Sequence, residues 1–308
     1  MAFALGFFTL PLRTQAVTPP PDGGYPGGNT AEGQSALLSL TTGTYNTAVG
    51  LFSLKSNTDG SWNTAVGAGA LFSNVASTNS AFGTFALYGN TSGSSNTAVG
   101  VYALRFNSVG NNNTAVGRGA LFANDIGHSN TATGYQALNS NTSGHSNTAT
   151  GYGALSRNTF AVLNTANGYA ALLGNTSGSN NTANGAGALY SNTEGSNNTA
   201  TGLEALFANT TGAANTATGN DALELNTAGT GNTAYGYAAL ANNSTGVYNI
   251  AVGTFAGSNL TTGNNNIDIG ADGVAGESDT IRIGNTDSTD TFIRGSVEQQ
   301  LPVARRCL

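Results

Sequence analysis

Apolar and polar positions alternate along this chain in a pattern that returns every 17 residues. The string Asn-Thr-Ala-x-Gly starts at Asn29 and recurs to a divergent fifteenth copy at Asn266, with Ser or Ile replacing the Thr in a few copies. The spacing is 17 residues except for one interval of 16, from Asn63 to Asn79. A short fixed period sustained over this length predicts a solenoid in which each repeat forms one coil.

We number the positions of one repeat as columns 1 to 17, counted from its first asparagine. The Thr-Ala-Val-Gly stretch alternates as a half-buried β-strand does, and the unit is too short for a helix pair or a propeller blade. The glycines of columns 5 and 15 are predicted to form corners with positive φ. We therefore expect an all-β parallel β-solenoid of about 15 coils.

The interior of such a coil is predicted to be thin. Alanines in columns 3 and 8 and leucine in column 9 form the expected core, and the asparagines of columns 1 and 12 are expected to stack as ladders that satisfy turn backbone groups. The leucine column includes Leu71, Leu104, Leu121, Leu138, Leu155, Leu172, Leu189, Leu206, Leu223 and Leu240. The column 1 ladder includes Asn96, Asn113, Asn130, Asn147, Asn164 and Asn181.

Composition narrows the function. Charged residues are only 8% and the formal net charge is −6, so the basic surface of a nucleic-acid-binding protein is missing. A charged column would repel itself from coil to coil, which agrees with the low charge of the repeats. No apolar stretch is long enough for a transmembrane helix, and the single Cys307 cannot form a disulfide framework. We expect no enzymatic activity and no cofactor.

The repeat G-x-x-N-T-A-x-G-x-x-A-L resembles the head repeats of trimeric autotransporter adhesins, the YadA-like or Hep/Hag heads, over about residues 29–270. This resemblance implies a left-handed β-roll, a homotrimer and a place on the bacterial cell surface. The 17-residue repeat is longer than the adhesin repeat, which is nearer 14 residues. The segment 263–295 resembles the stretch that precedes an endosialidase-type chaperone domain in bacterial surface and phage-fibre proteins, and this chain contains no such domain.

The ends of the chain differ from the repeats. Residues 1–16 are apolar and resemble a signal peptide without its basic region, the alternatives being a misassigned start or a hydrophobic tail. Residues 17–28 are rich in Pro and Gly and are predicted to be a linker before the solenoid of 29–265. We expect 266–295 to form a divergent terminal coil or cap and 296–308 to be a disordered tail.

Two pairs of titratable residues share a column in consecutive coils. His128 and His145 in column 16 are candidates for a weak metal or pH-sensitive site, or are two solvated loop residues. Glu204 and Asp221 in column 7 are candidates for a cation site or a glycosidase-like acid and base, or are solvated surface carboxylates. The second interpretation is preferred for both pairs, so no metal, cofactor-binding or catalytic site is predicted.

Aromatic and threonine columns offer surfaces for partners. Tyr135, Tyr152 and Tyr169 in column 6 could bind sugar rings through their faces or stabilise the coils by stacking, and stacking is favoured. Columns 2 and 4 give a Thr-x-Thr array typical of an ice-binding face, which we expect to be partly buried. Candidates for a subunit interface lie in columns 7 and 10: Phe52, Phe85, Tyr102, Phe72, Tyr88, Phe122, Tyr190 and Phe207.

The sequence thus predicts a secreted or cell-surface protein that acts as a structural and adhesive rod. Identical columns on every coil would give multivalent contacts with a glycan or surface protein. The alternatives are an ice-binding solenoid and a subunit that stacks head to tail into filaments through its open strand edges. A homotrimer is the expected assembly.

Overall fold

The fold prediction is confirmed: residues 25–285, which the computed structural model describes, form an all-β parallel β-solenoid of about 15 turns. Sixteen three-residue strands pair in chain order as one sheet. No helix occurs in residues 25–285. The strands are β1 (Thr30–Glu32), β2 (Thr47–Val49), β3 (Thr64–Val66), β4 (Ser80–Phe82), β5 (Thr97–Val99), β6 (Thr114–Val116), β7 (Thr131–Thr133), β8 (Thr148–Thr150), β9 (Thr165–Asn167), β10 (Thr182–Asn184), β11 (Thr199–Thr201), β12 (Thr216–Thr218), β13 (Thr233–Tyr235), β14 (Ile250–Val252), β15 (Ile267–Ile269) and β16 (Ile281–Ile283).

The strands pair with each residue opposite its own column in the next coil. Thr47 pairs with Thr64 and Ala48 with Ala65, and the 16-residue coil does not disturb this register. The ladder continues into the segment expected to be a divergent cap, where Ile267 pairs with Ile281. The predicted signal peptide, the end of the segment 266–295 and the C-terminal tail fall wholly or partly outside the described residues. Among those described, no helix is long and apolar enough to span a membrane.

The core is formed by the predicted alanine and leucine columns. The leucines from Leu54 to Leu240 are fully buried, and the column 3 alanines beside them have no exposed surface. All thirteen column 9 leucines lie in the left-handed region with φ between 48° and 54°, which is unfavourable for a branched side chain. Burial of the side chain and a backbone bond, such as the 3.0 Å bond from Leu155 N to Ala171 O, hold this conformation in place.

The two glycine columns are required for different reasons. In column 5 φ runs from 123° to 141°, as at Gly151, and this region is open mainly to glycine. The expected positive φ in column 15 is wrong, because Gly144 and its equivalents are not in that region. There a Cβ atom would overlap the carbonyl oxygen of the next coil, as the Cβ of a residue at Gly178 would overlap Gly195 O. Close approach of the backbones selects glycine in column 15.

The asparagines of column 1 form a continuous buried ladder. Asn147 N and Nδ2 both donate to Asn130 Oδ1, at 3.0 and 3.2 Å, and Asn147 Nδ2 also donates to Ala161 O at 2.9 Å. Asn147 Oδ1 in turn accepts from Asn164 N at 3.0 Å. The six asparagines predicted for this ladder occupy it in order, and each is at most 1% exposed. Amide side chains therefore bond every coil to the next through the interior.

Column 12 forms a second ladder on the other side of the core. Asn124 Nδ2 donates to Asn107 Oδ1 at 2.7 Å and to Gly127 O at 2.9 Å. The same pair of bonds recurs along most of the solenoid, since Asn209 Nδ2 bonds Asn192 Oδ1 and Gly212 O. The corner loop after this column is thus fixed by its own asparagine.

Candidate functional site

The tyrosine column is a stack on the solenoid surface. The ring centroids of Tyr135 and Tyr152 are 5.2 Å apart with planes at 12°, and those of Tyr152 and Tyr169 are 5.4 Å apart with planes at 14°. Arg118 closes one end, because its guanidinium lies 5.6 Å from the Tyr135 ring centroid and its Nη1 donates to the hydroxyl at 3.1 Å. The rings cover one another's faces, so only the outer face of Tyr169, next to Ala186, remains open to a ligand.

A second exposed stack lies in column 17, where sequence reasoning named no candidate. The rings of Tyr45 and Trp62 are parallel within 8° with centroids 6.3 Å apart, and both side chains are 61% exposed. Trp62 immediately precedes the 16-residue coil. The signal that could have revealed this stack was the pair of aromatic residues at one column beside the only break in the period.

The aromatic residues proposed for a subunit interface mainly contact each other within the chain. Phe72 stacks on Tyr88 at 4.9 Å, and Phe85 stacks on Tyr102 at 5.9 Å. Arg105 lies 4.9 Å from the centroid of Tyr102 and extends this cluster to neighbouring coils. These rings are half-buried, so packing between coils accounts for much of their apolar surface. Further members of the columns form similar contacts: Phe52 with Phe72, Tyr102 with Phe122 and Tyr190 with Phe207.

The two histidines lie face to face. The ring centroids of His128 and His145 are 4.6 Å apart with planes at 6°, and the Nδ1 atom of each is near the hydroxyl of the serine that follows it. His128 is exposed and His145 is half-buried. No third ligand completes this pair, because within residues 25–285 no group of three His, Cys, Asp or Glu side chains is arranged to hold a metal ion.

The acidic column forms a group of three carboxylates. Burial raises the pKa of Glu224, and the charges of Asp221 and then Glu204 raise it further. Asn220 Nδ2 donates to Asp221 Oδ2 at 2.6 Å, and all three carboxylates are half-exposed. The column therefore brings Glu204 and Asp221 close enough to interact, and solvent reaches both.

The threonine columns are exposed in the middle of the rod. In β7 to β10 the outward residues on both sides of the buried alanine are exposed, as at Thr131 and Thr133. In the single chain this contradicts the expectation that the face is partly buried. Column 4 is apolar on either side of this region, with Val99 and Val116 before it and Val252 after it. The polar Thr-x-Thr and Thr-x-Asn face thus covers six coils.

A buried carboxylate lies at the C-terminal end of the core. Asp268 occupies column 3, where other coils have alanine, and neither of its side-chain oxygens has a hydrogen-bond partner in residues 25–285. Burial raises its pKa to about 6, Glu277 adds to this shift, Arg282 opposes it and Asp272 contributes least. Arg282 is held by Glu277 through a 2.5 Å ion pair and therefore does not neutralise Asp268.

The space for this carboxylate comes from a second substitution. Gly257 stands in column 9 in place of leucine, and a Cβ atom there would lie 3.4 Å from Asp268 Oδ2. Leu260, in column 12, moves an apolar side chain to the opposite side of the same core. Loss of one leucine and gain of one carboxylate thus compensate in volume and not in polarity.

Comparisons with protein-family models, curated proteins and solved structures find no match to this chain. The resemblance to trimeric adhesin heads therefore stays a prediction based on the repeat itself. What the geometry offers is a set of exposed columns: stacked aromatic rings, hydroxyl groups and a small acidic group. These columns favour contact with extended partners over chemistry in an enclosed pocket.

Proposed function

We propose that this protein is an extracellular structural and adhesive rod that binds extended partners by many weak, repeated contacts. The observation that carries the proposal is the exact column register of sixteen parallel strands. A surface group at one position is thereby repeated, or replaced by a related group, at every strand spacing of about 4.8 Å. Several weak contacts of one partner then act together, because each bound contact raises the local concentration for the next.

The exposed side chains support a partner of low charge. Hydroxyl, amide and aromatic groups dominate the outward columns, while charged residues are 8% of the chain. Polysaccharides and the surfaces of other proteins offer matching hydrogen-bonding and apolar groups, whereas a nucleic acid needs a basic surface. The apolar composition of residues 1–16 supports export, and the adhesin-like repeat supports a place on the bacterial cell surface.

Changing the number of coils should change adhesion more than in proportion. We expect a chain lacking the three coils 181–231 to dissociate faster from a binding surface, and a chain with those coils duplicated to dissociate more slowly, because the partner spans fewer or more contacts. Both junctions keep the 17-residue register and the Asn ladder. The measurement is the dissociation rate from immobilised cellulose, chitin, alginate and collagen. Equal rates for all three lengths, or no retention on any surface, would contradict the proposal.

Ice binding is a second candidate, favoured by the exposed Thr-x-Thr face of β7 to β12. Light scattering and thermal hysteresis separate it from the adhesive rod. We expect a trimer of about three times 30.7 kDa and no thermal hysteresis, since adhesive trimers place part of the surface between subunits. A monomer that depresses the freezing point and loses this effect on Thr182→Lys substitution would replace our proposal with ice binding. The same substitution leaves the buried Ala183 and the ladders unchanged.

A further inference from the structure

Trp62 has one covered ring face and one open ring face. Tyr45 stacks on the first face, with 6.3 Å between ring centroids, and Tyr45 itself lies over Gly28 on its other side. Among the described residues no aromatic ring packs on the second face of Trp62, and its side chain is 61% exposed. The stack therefore ends at an indole face that can accept a further ring.

Short hydroxyl side chains form the floor beside this open face. Column 17 continues with Thr78 and Ser95, whose oxygens are 3.2 Å apart. Thr78 Oγ1 donates to Ser77 O at 2.6 Å, which assigns the hydrogen between the two hydroxyls to Ser95. The lone pairs that remain on both oxygens are thus free to accept hydrogen bonds from a ligand.

The shape of this place follows from the change in side-chain length along the column. Tyr45 and Trp62 extend outward, whereas Thr78 and Ser95 are short and leave the next layers of the column open. Successive layers are spaced by about 4.8 Å, close to the thickness of one ring stacked on another. A ligand ring can therefore continue the stack one layer beyond Trp62, above the two hydroxyls.

A neutral sugar ring matches these groups. One face of a pyranose is lined by C–H groups that pack on an aromatic ring, while its edge carries hydroxyl donors for the oxygens of Thr78 and Ser95. A nucleobase could also stack on Trp62, but its phosphate would need a cation. Lys55 and Arg105 instead lie over other rings, those of Phe52 and Tyr102.

We propose that Trp62, Thr78 and Ser95 form a binding site for one ring of a neutral oligosaccharide. The proposal rests on the adhesive function and assigns it a ligand class and a place on the rod. Tyr169 provides a contrast, because its open ring face is equally exposed but the next residue of its column is Ala186, which has no hydroxyl. Ring stacking without hydrogen bonds is expected to be weaker there.

The test uses the emission of Trp62, the only tryptophan of the chain. We expect cellotetraose or chitotetraose to change this emission saturably in the full-length protein, with an affinity in the millimolar range. Thr78→Tyr should weaken the response at least about tenfold, because a tyrosine there occupies the open face. Tyrosine fits this column, since Tyr45 has φ 57° and Thr78 has φ 64°.

Two controls make the result specific. Ala214→Tyr adds a tyrosine to the same column far from Trp62, where φ is 55°, and should leave the titration unchanged. Tyr169→Ala removes the contrasting stack end and should also have no effect. A Thr78→Tyr protein that titrates like the unsubstituted protein overturns the proposal, as does an emission change produced by adenosine monophosphate and not by sugars.

The outcome also separates this site from the adhesive function. If Trp62 does not respond to either tetrasaccharide while the rod still remains on polysaccharide surfaces, the sugar site is wrong and adhesion uses another column. If the rod is retained on no surface and Trp62 still responds, the site stands and the multivalent function is wrong.

Discussion

Replacing Asn147 by aspartate should destabilise the solenoid more than any surface change of the same size. The substitution puts an oxygen where Nδ2 donates to Asn130 Oδ1 at 3.2 Å and to Ala161 O at 2.9 Å. Three acceptors would then face one another without a donor, in a place that is 1% exposed. We expect a loss of about 3–5 kcal/mol in the local free energy of unfolding, the cost of a buried and unpaired charge.

The matched control is Asn184→Asp, the same substitution on the outside of the rod. Asn184 is exposed in β10 and its Oδ1 accepts a 3.3 Å bond from Asn167 Nδ2, which an aspartate can also accept. Hydrogen exchange of the amides in β7 to β9 measures the local effect, because a repeat array does not unfold as one unit. Equal protection in the two variants would show that the ladder contributes nothing to stability.

The buried carboxylate at the end of the rod should make the last coils sensitive to pH. Because the folded pKa of Asp268 is raised from 3.8 to about 6, the folded state binds more protons than the unfolded state between these values. Stability of the terminal coils should therefore fall as the pH rises through this window. The loss amounts to about 3 kcal/mol at neutral pH, given 1.36 kcal/mol for each pKa unit.

Asp268→Asn keeps the shape of the side chain and removes its charge. We expect amide protection in β14 to β16 to become independent of pH between 4 and 6 in this variant, while the unsubstituted chain loses protection over the same range. Asp59→Asn, an exposed substitution near the other end, should retain the pH dependence of β14 to β16. A pH dependence that persists in Asp268→Asn would assign it to another group and contradict the prediction.

Much of the fold could be predicted because the repeat is so regular. A constant period fixes which residues are neighbours between coils, so placing Asn130 beside Asn147 requires no knowledge of the backbone path. The alternation in Thr-Ala-Val then identifies the inward alanine, and the one conserved large side chain, such as Leu155, has to fill the core. Parallel pairing and the core composition follow from these facts alone.

The backbone conformation could not be predicted in the same way. Leucine avoids positive φ in general, so nothing in its identity indicated that column 9 is left-handed in every coil. Glycine gave the opposite problem, because Gly144 is selected by contact with the next coil and not by its own φ. Both features depend on how closely two coils approach, which a one-dimensional pattern does not contain.

The surface was the least predictable part. Sequence reasoning placed Tyr135, Tyr152 and Tyr169 in one column and correctly allowed for stacking, but it could not decide how much of each ring face is free. It gave no role to Tyr45 and Trp62. Whether an aromatic ring binds a neighbour or a ligand depends on the side-chain lengths in the adjacent coils, and these vary outside the consensus positions.

The column register also has a genetic consequence. Each coil contacts its two neighbours through the same columns, so a gain or loss of 17 codons inserts or removes one complete coil and rejoins both asparagine ladders. The 16-residue coil from Asn63 to Thr78 shows that even a single-codon loss at a corner can be absorbed while β3 and β4 stay paired in register. Recombination between repeats can therefore change the length of this rod, and with it the distance over which it acts, while the fold is preserved at every step.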